Sequence, residues 1–316
     1  MNLLSIDGGG IKGLYAAAFL AGLEKISKKN TAECFNLIAG TSTGGILALA
    51  IAAKISAKTI VSFYKEWGPK IFQARLKGIK NLIFSKYSNQ HFKEALQTVF
   101  GDMKISDIYS KDDDIALCIA SIDAIQGTPI VFKTPHDSRL SRDNDLYLWE
   151  IALATSAAPT FFPITKIQSR DSSAWKLYVD GGLWANNPSL VALTEALTYR
   201  KQVIDDIYML SLGNIASVTS LKSSTFLRKG IVPWSVDFIR MTMDTQSLAI
   251  HNQVKLLFET QGLEDHYTRI EHTVTGNKSL QKLDCVNLSN LNDLETLGTS
   301  RAYTESNNNK VKHFYD

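Results

Sequence analysis

The sequence predicts an α/β fold in which helices sandwich a mostly parallel central sheet. Short, continuously apolar segments that suit buried parallel strands alternate with longer segments of helical periodicity. The first 55 residues contain two such pairs, and the second helix is apolar all round, as expected for a helix in the middle of a fold. The four elements are a strand at Leu3–Ile6, a helix at Leu14–Ile26, a strand at Phe35–Ala39 and a helix at Gly45–Ile55.

The same alternation continues along the chain and predicts more strands of the same sheet. Further strands are predicted at Ile115–Ile122, Pro129–Lys133, Trp175–Val179 and Ile207–Leu212. Further helices are predicted at about Ala57–Trp67, Asn89–Val99, Leu146–Ala154, Ser189–Arg200 and Trp234–Phe258. No repeat or linker interrupts the pattern, so residues 1–316 are predicted to form one domain. The polar, asparagine-rich ending at Thr304–Asp316 is expected to fray.

The composition narrows the classes of protein that fit. The chain has 316 residues, of which 45% are hydrophobic and 21% charged, and its formal net charge is +3. This mild charge argues against a protein that binds DNA or RNA, which usually shows a concentrated basic face. Three isolated cysteines predict a reduced, cytoplasmic protein without a zinc site or a disulfide framework. No apolar run approaches the ~20 residues that span a bilayer, so any membrane is expected to be met from the aqueous side.

A candidate nucleophile lies between the second strand and the second helix. Gly40-Thr41-Ser42-Thr43-Gly44 has the G-x-S-x-G form of a nucleophile elbow, which requires this strand–turn–helix context. The tight turn needs the small residues Gly40 and Gly44 on either side of Ser42. It also places the hydroxyl at a helix N-terminus, where free N–H groups and the helix dipole favour developing negative charge. The competing interpretation is a glycine-rich turn in which Ser42 only caps the helix.

A glycine-rich loop follows the first strand and is adjacent to this turn in a parallel sheet. Within Asp7–Gly13, three consecutive glycines allow backbone N–H groups to turn toward a bound oxyanion. The spacing of Gly8, Gly10 and Gly13 also fits the G-x-G-x-x-G of a dinucleotide-binding fold. That fold requires an acidic residue at the end of the second strand, whereas this strand runs into the Ser42 turn. A phosphate-binding P-loop would require a G-K-[ST] that is absent after the glycines.

A serine nucleophile needs a base, and Asp180 is the candidate. It ends the predicted strand Trp175–Val179 and precedes two glycines that leave its carboxylate accessible. Active sites of open α/β sheets gather at such strand ends. The competing prediction is a triad in the order Ser42, Asp180, His251, as in an ordinary α/β-hydrolase. The histidine falls in a helical segment rather than in a short loop after a strand, which gives the triad little support.

Three blocks together resemble the patatin-like phospholipases, namely Asp7–Gly13, Gly40–Gly44 and Asp180–Gly182. Two further blocks, Thr155–Pro163 and Asn186–Pro188, look like the same family, and the resemblance covers roughly the first 215 residues. It implies a patatin-like hydrolase fold with a nucleophile elbow. It also implies a serine acyl hydrolase that releases fatty acids from membrane phospholipids at the bilayer surface.

The resemblance further implies a Ser–Asp dyad without histidine, and it requires no metal or other cofactor. Lys12 stands where the family usually has arginine, and Gly182 where many members have alanine. The acidic run Asp112–Asp114 lacks the rest of a calcium-binding loop and is expected to be a solvated turn. The implied catalytic residues are Ser42 and Asp180, the implied oxyanion hole is Gly8, Gly9 and Gly10, and the supporting residues are Lys12, Gly40 and Gly44.

Two segments are candidates for contact with a membrane or with the site. Gly68–Gln90 interleaves five basic residues with apolar ones and contains no acidic residue, which suits docking onto anionic lipid. A helix packed on the core with its lysines in water would have the same pattern. Leu221–Met243 is a second candidate cover, so residues 216–316 are predicted to be a helical C-terminal part with a lid or regulatory role. The candidates for the wall of an acyl channel are Phe161, Phe162 and Trp184.

The segment Phe63–Phe72 looks like the bacterial patatin-like effectors of cyclic-oligonucleotide anti-phage signalling, in which a nucleotide messenger switches on membrane degradation. This resemblance implies a cyclic oligonucleotide as activator, although no motif assigns a residue to nucleotide binding. Two alternatives stay open. One is an acyltransferase that uses the same dyad, and the other is a non-catalytic nucleotide-binding module built on the glycine loops. Assembly into an oligomer stays open as well.

Overall fold

The computed structural model describes residues 1–74, 84–109, 115–169, 174–217, 231–274 and 277–316. Eight strands of these ranges form one sheet. They are β1 (Asn2–Ile6), β2 (Leu37–Thr41), β3 (Ala116–Asp123), β4 (Thr128–Lys133), β5 (Thr165–Gln168), β6 (Trp175–Asp180), β7 (Tyr208–Ser217) and β8 (Tyr267–Val274). The strand order is β5-β6-β3-β2-β1-β7-β8, with β4 paired to β3. The pairs from β3 through β2, β1 and β7 to β8 are parallel, whereas β4, β5 and β6 pair antiparallel, so the predicted mostly parallel sheet is confirmed.

Helices cover both faces of this sheet. Those described are α1 (Gly13–Ser27), α2 (Thr43–Ala52), α3 (Ala57–Ile71), α4 (Gln90–Phe100), α5 (Leu148–Thr155), α6 (Gly182–Ala185), α7 (Ser189–Thr198), α8 (Ile231–Glu259), α9 (Leu288–Glu305) and α10 (Asn309–Tyr315). On β1, Leu4 and Ile6 belong to one core cluster, together with residues of α1 and α2. Leu3 alternates with them and packs on the other face, in a cluster with Ala192 of α7 and Phe258 of α8. The predicted sandwich is therefore confirmed, and α2 is buried along its whole length.

The C-terminal part differs from the prediction in two ways. Residues 216–316 are not wholly helical, because β8 lies there as a strand parallel to β7 at the end of the sheet. A strand at a sheet edge lacks the continuous apolar run of the inner parallel strands. The ending does not fray either, since α10 buries Val311, Phe314 and Tyr315. The Phe314 ring stacks on that of Phe35 at 5.2 Å, so three apolar residues at helical spacing anchor an otherwise polar segment.

The register of β3 brings the ends of two other strands together. β2 pairs in parallel with β3 as far as Thr41, opposite Ala120. β6 pairs antiparallel with the continuation of β3 and places Asp180 opposite Ser121. Because β4 occupies the other edge of β3 over this stretch, β2 and β6 lie end to end along one edge. Their C-terminal ends therefore meet at adjacent positions of β3.

Candidate active site

Ser42 lies in the turn between β2 and α2. Its backbone has φ 53° and ψ −125°, a conformation that is strained for a residue with a side chain. A Cβ at Gly40 would lie 2.5 Å from the carbonyl oxygen of Gly44, and a Cβ at Gly44 would collide with the carbonyl oxygen of Ile6. The two glycines therefore allow β1, β2 and the start of α2 to approach closely enough for the turn to form. This is the geometry of the predicted nucleophile elbow.

The side chains of Ser42 and Asp180 meet at the ends of β2 and β6. The Ser42 hydroxyl donates a 2.7 Å hydrogen bond to Oδ2 of Asp180. The N–H of Gly182 donates a 2.7 Å hydrogen bond to Oδ1 of the same carboxylate. The Ser42 amide donates to Oγ1 of Thr155 at 2.8 Å, which fixes the turn, and both catalytic candidates are buried. A hydroxyl held against a carboxylate is an arrangement that nucleophilic catalysis by serine can use.

Burial raises the pKa of Asp180 to about 6, from an ordinary value of 3.8, because the interior solvates the charge less well than water does. The hydrogen bonds from Gly182 and Ser42 act in the opposite direction and limit the rise. The carboxylate is therefore mostly ionised at neutral pH but is more basic than an exposed aspartate. Such a pKa suits a group that must accept a proton near neutral pH.

The rate of ester hydrolysis is expected to fall about tenfold per pH unit below pH 6, since only the ionised carboxylate of Asp180 can accept the Ser42 proton. As the pH falls through about 6, this carboxylate becomes protonated and the base is lost. The measurement is kcat/KM for a water-soluble p-nitrophenyl ester between about pH 4.5 and 8. A profile that stays flat down to about pH 5 would contradict this assignment of the base.

The amide groups of the glycine loop differ in whether another acceptor already binds them. The N–H of Gly8 already donates a 2.9 Å hydrogen bond to the carbonyl oxygen of Asn186, so it cannot also serve an oxyanion. The N–H groups of Gly9 and Gly10 have no acceptor in the part of the chain that the structure describes. Gly10 also lines the same cavity as Ser42. Of the three glycines predicted to form an oxyanion hole, Gly9 and Gly10 are therefore the two whose N–H groups have no described acceptor.

Replacing Gly10 by alanine is expected to lower kcat by about 10²–10³-fold, the typical cost of a lost oxyanion donor. Gly10 has φ +60°, and a Cβ there would collide with the carbonyl oxygen of Leu283, so the loop must move. Gly127→Ala is the matched control, because Gly127 has φ +65° but its Cβ would meet nothing within 4 Å. Steady-state kinetics with a soluble ester give kcat for both variants, and equal losses would count against the loop's role.

An arginine far along the chain holds the start of the glycine loop. Arg269 of β8 donates to both carboxylate oxygens of Asp7, at 2.9 Å from Nη1 to Oδ1 and 2.6 Å from Nη2 to Oδ2. The hydroxyl of Ser247 donates to the same carboxylate at 2.7 Å. Nδ2 of Asn214 donates to the carbonyl oxygens of Asp7 and Gly8, at 3.0 and 2.8 Å. The sequence gives one signal of such partners: a carboxylate directly after a buried strand needs a counter-charge.

The other predicted supporting residues differ in their surroundings. Lys12 contacts neither Ser42 nor Asp180, because its ammonium donates to the carbonyl oxygen of Ile215 at 3.0 Å. A Cβ at Gly182 would lie 2.8 Å from Cε of Met243. The Met243 side chain thus occupies the space that alanine would need at this position.

An apolar cavity lies beside the Ser42 hydroxyl. Phe161 and Phe162 line it, as predicted. Trp184 is not part of the described wall, and its indole N–H donates to the carbonyl oxygen of Ser121 at 2.8 Å. The wall also includes Ile46, Phe63, Ile71, Phe72, Phe92, Ile239, Met243 and Leu283. Such a wall suits an acyl chain, but the cavity volume of ≈ 50 Å³ is far below the ~300–1,000 Å³ of typical ligand sites.

The two segments that were candidates for covering the site are described in part. Gly68–Gln90 is described except for residues 75–83. Its Phe72 lines the catalytic cavity and is therefore not part of a lipid-docking surface. Leu221–Met243 is described from residue 231, where α8 begins. Among the helices that the structure describes, none combines the length and apolar character needed to cross a bilayer.

The competing triad with His251 finds no support in the described ranges. No histidine contacts Ser42 or Asp180 there, and Nδ1 of His251 is hydrogen-bonded with the hydroxyl of Tyr267 at 3.0 Å. No group of three or more His, Cys, Asp or Glu residues in these ranges is arranged to hold a metal ion. The acidic run Asp112–Asp114 lies outside the described residues.

Serine hydrolases built on an α/β sheet hold their nucleophile at an elbow of this kind, and the apolar cavity beside it favours a substrate with a long apolar group. Fold and site together define a serine lipid hydrolase. The model of the patatin-like phospholipase family matches residues 4–193, so the chain belongs to that family. The resemblance found in the sequence motifs is therefore confirmed.

Relatives from bacteria and plants align over nearly the whole chain. The chain is 29% identical to a cGAMP-activated phospholipase of Pseudomonas aeruginosa, over 95% of this chain and 87% of that protein. It is also 29% identical to a cGAMP-activated phospholipase of Escherichia coli, over 100% of this chain and 92% of that protein. Patatin-like protein 1 of Arabidopsis thaliana is 29% identical, over 94% of this chain and 80% of its own length.

Proposed function

We propose that this protein releases fatty acids from membrane phospholipids with a Ser42–Asp180 dyad, and that a cyclic nucleotide switches it on. The 2.7 Å hydrogen bond from the Ser42 hydroxyl to Asp180, beside an apolar cavity, carries the proposal. The protein works from the aqueous side of the bilayer, and its role is in defence against phage.

The proposed reaction is a two-step acyl transfer. Oγ of Ser42 attacks the ester carbonyl while Oδ2 of Asp180 takes its proton, and the N–H groups of Gly9 and Gly10 stabilise the tetrahedral oxyanion. Collapse of this intermediate breaks the ester bond, and the lysolipid oxygen leaves with the proton from Asp180. Water then attacks the acyl-enzyme, again giving a proton to Asp180, and the fatty acid leaves as Ser42 recovers its proton.

Two observations support activation by a cyclic nucleotide. Relatives that align over 95% and 100% of this chain are named cGAMP-activated phospholipases. The cavity beside Ser42, at ≈ 50 Å³, is smaller than the ~300–1,000 Å³ of typical ligand sites, as expected for a resting state that opens when an activator binds. An enzyme that must open first is one that a ligand can control, because a ligand that prefers the open state shifts the population toward it.

The test is the release of fatty acid and lysolipid from mixed phospholipid vesicles, measured by mass spectrometry. Wild type and Ser42→Ala are each assayed with and without cGAMP. We expect release that depends on cGAMP and is lost in Ser42→Ala. Release that survives Ser42→Ala would reject the dyad, and equal release with and without cGAMP would reject the switch. An acyl product on glycerol or another alcohol, in place of free fatty acid, would favour acyl transfer.

A further inference from the structure

A second cavity of ≈ 470 Å³ borders the glycine loop but includes neither Ser42 nor Asp180. It lies between α8 and the strands β7 and β8, and its wall contains Asp7 and Gly8. Its volume falls within the ~300–1,000 Å³ of typical small-molecule sites. The reaction proposed above does not use it. The polar and charged side chains of its wall include Lys12, Asn214, Asp244, His251, Arg269 and Glu271.

Lys12 is the unusual member of this wall. The residue is only 4% exposed, and its ammonium donates to one neutral partner, the carbonyl oxygen of Ile215. Within the described ranges it forms no ion pair, and an ammonium has three protons to donate. Arg269, by contrast, is neutralised by Asp7. Burial disfavours the charged form of Lys12 and lowers its pKa, against the attraction of the nearby carboxylates of Asp244 and Asp7. An anionic oxygen that enters the cavity would accept one of the remaining Lys12 protons and stabilise the charge.

Hydrogen-bond acceptors stand in the same wall as this cation. Oδ1 of Asn214 is buried and has no donor in the described part of the chain. The carboxylates of Asp244 and Glu271 also line the cavity. A ligand that carries both a phosphodiester and N–H groups, as a nucleotide does, fits a wall in which an ammonium with protons left to donate lies beside an unpaired amide oxygen.

The helix α8 separates this second cavity from the catalytic one. Ile239 and Met243 of α8 line the catalytic cavity, whereas Asp244 and Leu248 of the same helix line the second cavity. Cε of Met243 lies against Gly182, whose N–H binds the Asp180 carboxylate. A ligand that displaces α8 from one side therefore moves Met243 in the narrow cavity on the other side.

We propose that the second cavity binds the cyclic dinucleotide activator, with a phosphodiester oxygen on the Lys12 ammonium, and that α8 transmits the binding to the catalytic cavity. This inference rests on the activation by a cyclic nucleotide proposed above. It adds the site of that activation and the element that couples the two cavities.

The test is the affinity for cGAMP without lipid, measured by isothermal titration calorimetry, with the melting temperature of each variant as a check of folding. Lys12→Gln removes the cation, and Leu248→Trp fills the cavity from a helix position whose residue is 57% exposed and so tolerates a large side chain. We expect each substitution to weaken binding about tenfold or more. The control, Lys58→Gln, changes an exposed lysine of α3 and is expected to bind as wild type does.

The outcomes separate this inference from the function on which it rests. Binding of wild-type strength in both Lys12→Gln and Leu248→Trp would overturn the site and leave cGAMP activation standing. A wild type that binds no cGAMP would overturn both. Glycerophosphocholine is titrated in parallel, because a lipid headgroup also carries a phosphodiester. If it bound in place of cGAMP, and the same two substitutions abolished that binding, the cavity would belong to the substrate headgroup and the inference would be wrong.

Discussion

Replacing Asp180 by asparagine is expected to lower ester hydrolysis by about 10⁴–10⁶-fold, the range of losses found when the aspartate or the general base of a serine hydrolase triad is removed. The amide oxygen of asparagine can still accept the 2.7 Å hydrogen bond from Gly182, so the local geometry is kept. The amide cannot accept the Ser42 proton, and the nucleophile is no longer activated. The measurement is kcat/KM with a soluble ester and with vesicles.

The same substitution is expected to stabilise the folded protein at neutral pH. Burial raises the pKa of Asp180 from 3.8 to about 6, so the ionised carboxylate lowers the unfolding free energy by roughly (6 − 3.8) × 1.36, or ~3 kcal/mol. Because the folded-state pKa is the raised one, this cost is absent below about pH 4 and is complete above about pH 6. The melting temperature of Asp180→Asn should therefore exceed that of wild type at pH 7.5, and the difference should vanish near pH 4.

Asp102→Asn is the control, since Asp102 is an exposed aspartate after α4 and its substitution changes the net charge equally. It should change neither activity nor melting temperature at pH 7.5. An active Asp180→Asn would instead point to another base, and the triad with His251 would have to be reconsidered. A loss of activity accompanied by a lower melting temperature would indicate a structural role for Asp180.

The fold's central strands and the elbow could be predicted because their signals are local. β1 and β2 are short, mainly apolar runs, and glycines lie within three positions of the end of each. An inner parallel strand is buried on both faces and cannot alternate, so it stands out from its surroundings. The elbow needs small residues within two positions of Ser42, and these too are visible in a single line of sequence. Asp180 could be found for a related reason, since it ends an apolar run before two glycines.

Contacts between distant parts of the chain could not be predicted. The hydrogen bond from Gly8 to Asn186 removes one oxyanion donor, and its partners lie about 180 residues apart in sequence. β8 mixes buried and accessible positions without a regular period, and its Arg269 is one of many basic residues until the fold places it on Asp7. The burial of α10 depends on Phe35, which follows α1. Each of these features is defined by a tertiary partner that the local sequence does not specify.

All sequence motifs of the candidate site lie in the first two thirds of the chain. Residues of the C-terminal third nevertheless contact the glycine loop of that site. The family model ends at residue 193, yet Asn214, Ser247 and Arg269 hold the glycine loop by hydrogen bonds to its first two residues. The loop's N–H groups can stabilise an oxyanion only if their direction is fixed in advance. The catalytic geometry therefore depends on β7, α8 and β8, and a movement of α8 reaches the loop through Ser247.

Replacing Arg269 by methionine is expected to lower the unfolding free energy by about 3–5 kcal/mol, because it leaves Asp7 as a buried charge without the counter-charge that contacts it. The Arg269 side chain is 7% exposed and that of Asp7 is 3% exposed, so the carboxylate is poorly solvated in the folded protein. Denaturant unfolding measures the loss. Arg139→Met is the matched control: it breaks an ion pair with Asp137 whose arginine is 57% exposed, and should leave the unfolding free energy nearly unchanged.

The double variant Asp7→Asn with Arg269→Met decides whether charge or packing causes this loss. Asparagine removes the stranded charge, and its amide oxygen can still accept the hydrogen bond that Ser247 gives to Asp7. The double variant should therefore be more stable than Arg269→Met alone, with a coupling energy that a double-mutant cycle measures. A double variant that is as unstable as Arg269→Met would mean that the guanidinium acts by filling space. If the ion pair also positions the glycine loop, kcat for a soluble ester should stay low in the single variant and in the double variant. Neither protein has the two hydrogen bonds that Arg269 donates to residue 7.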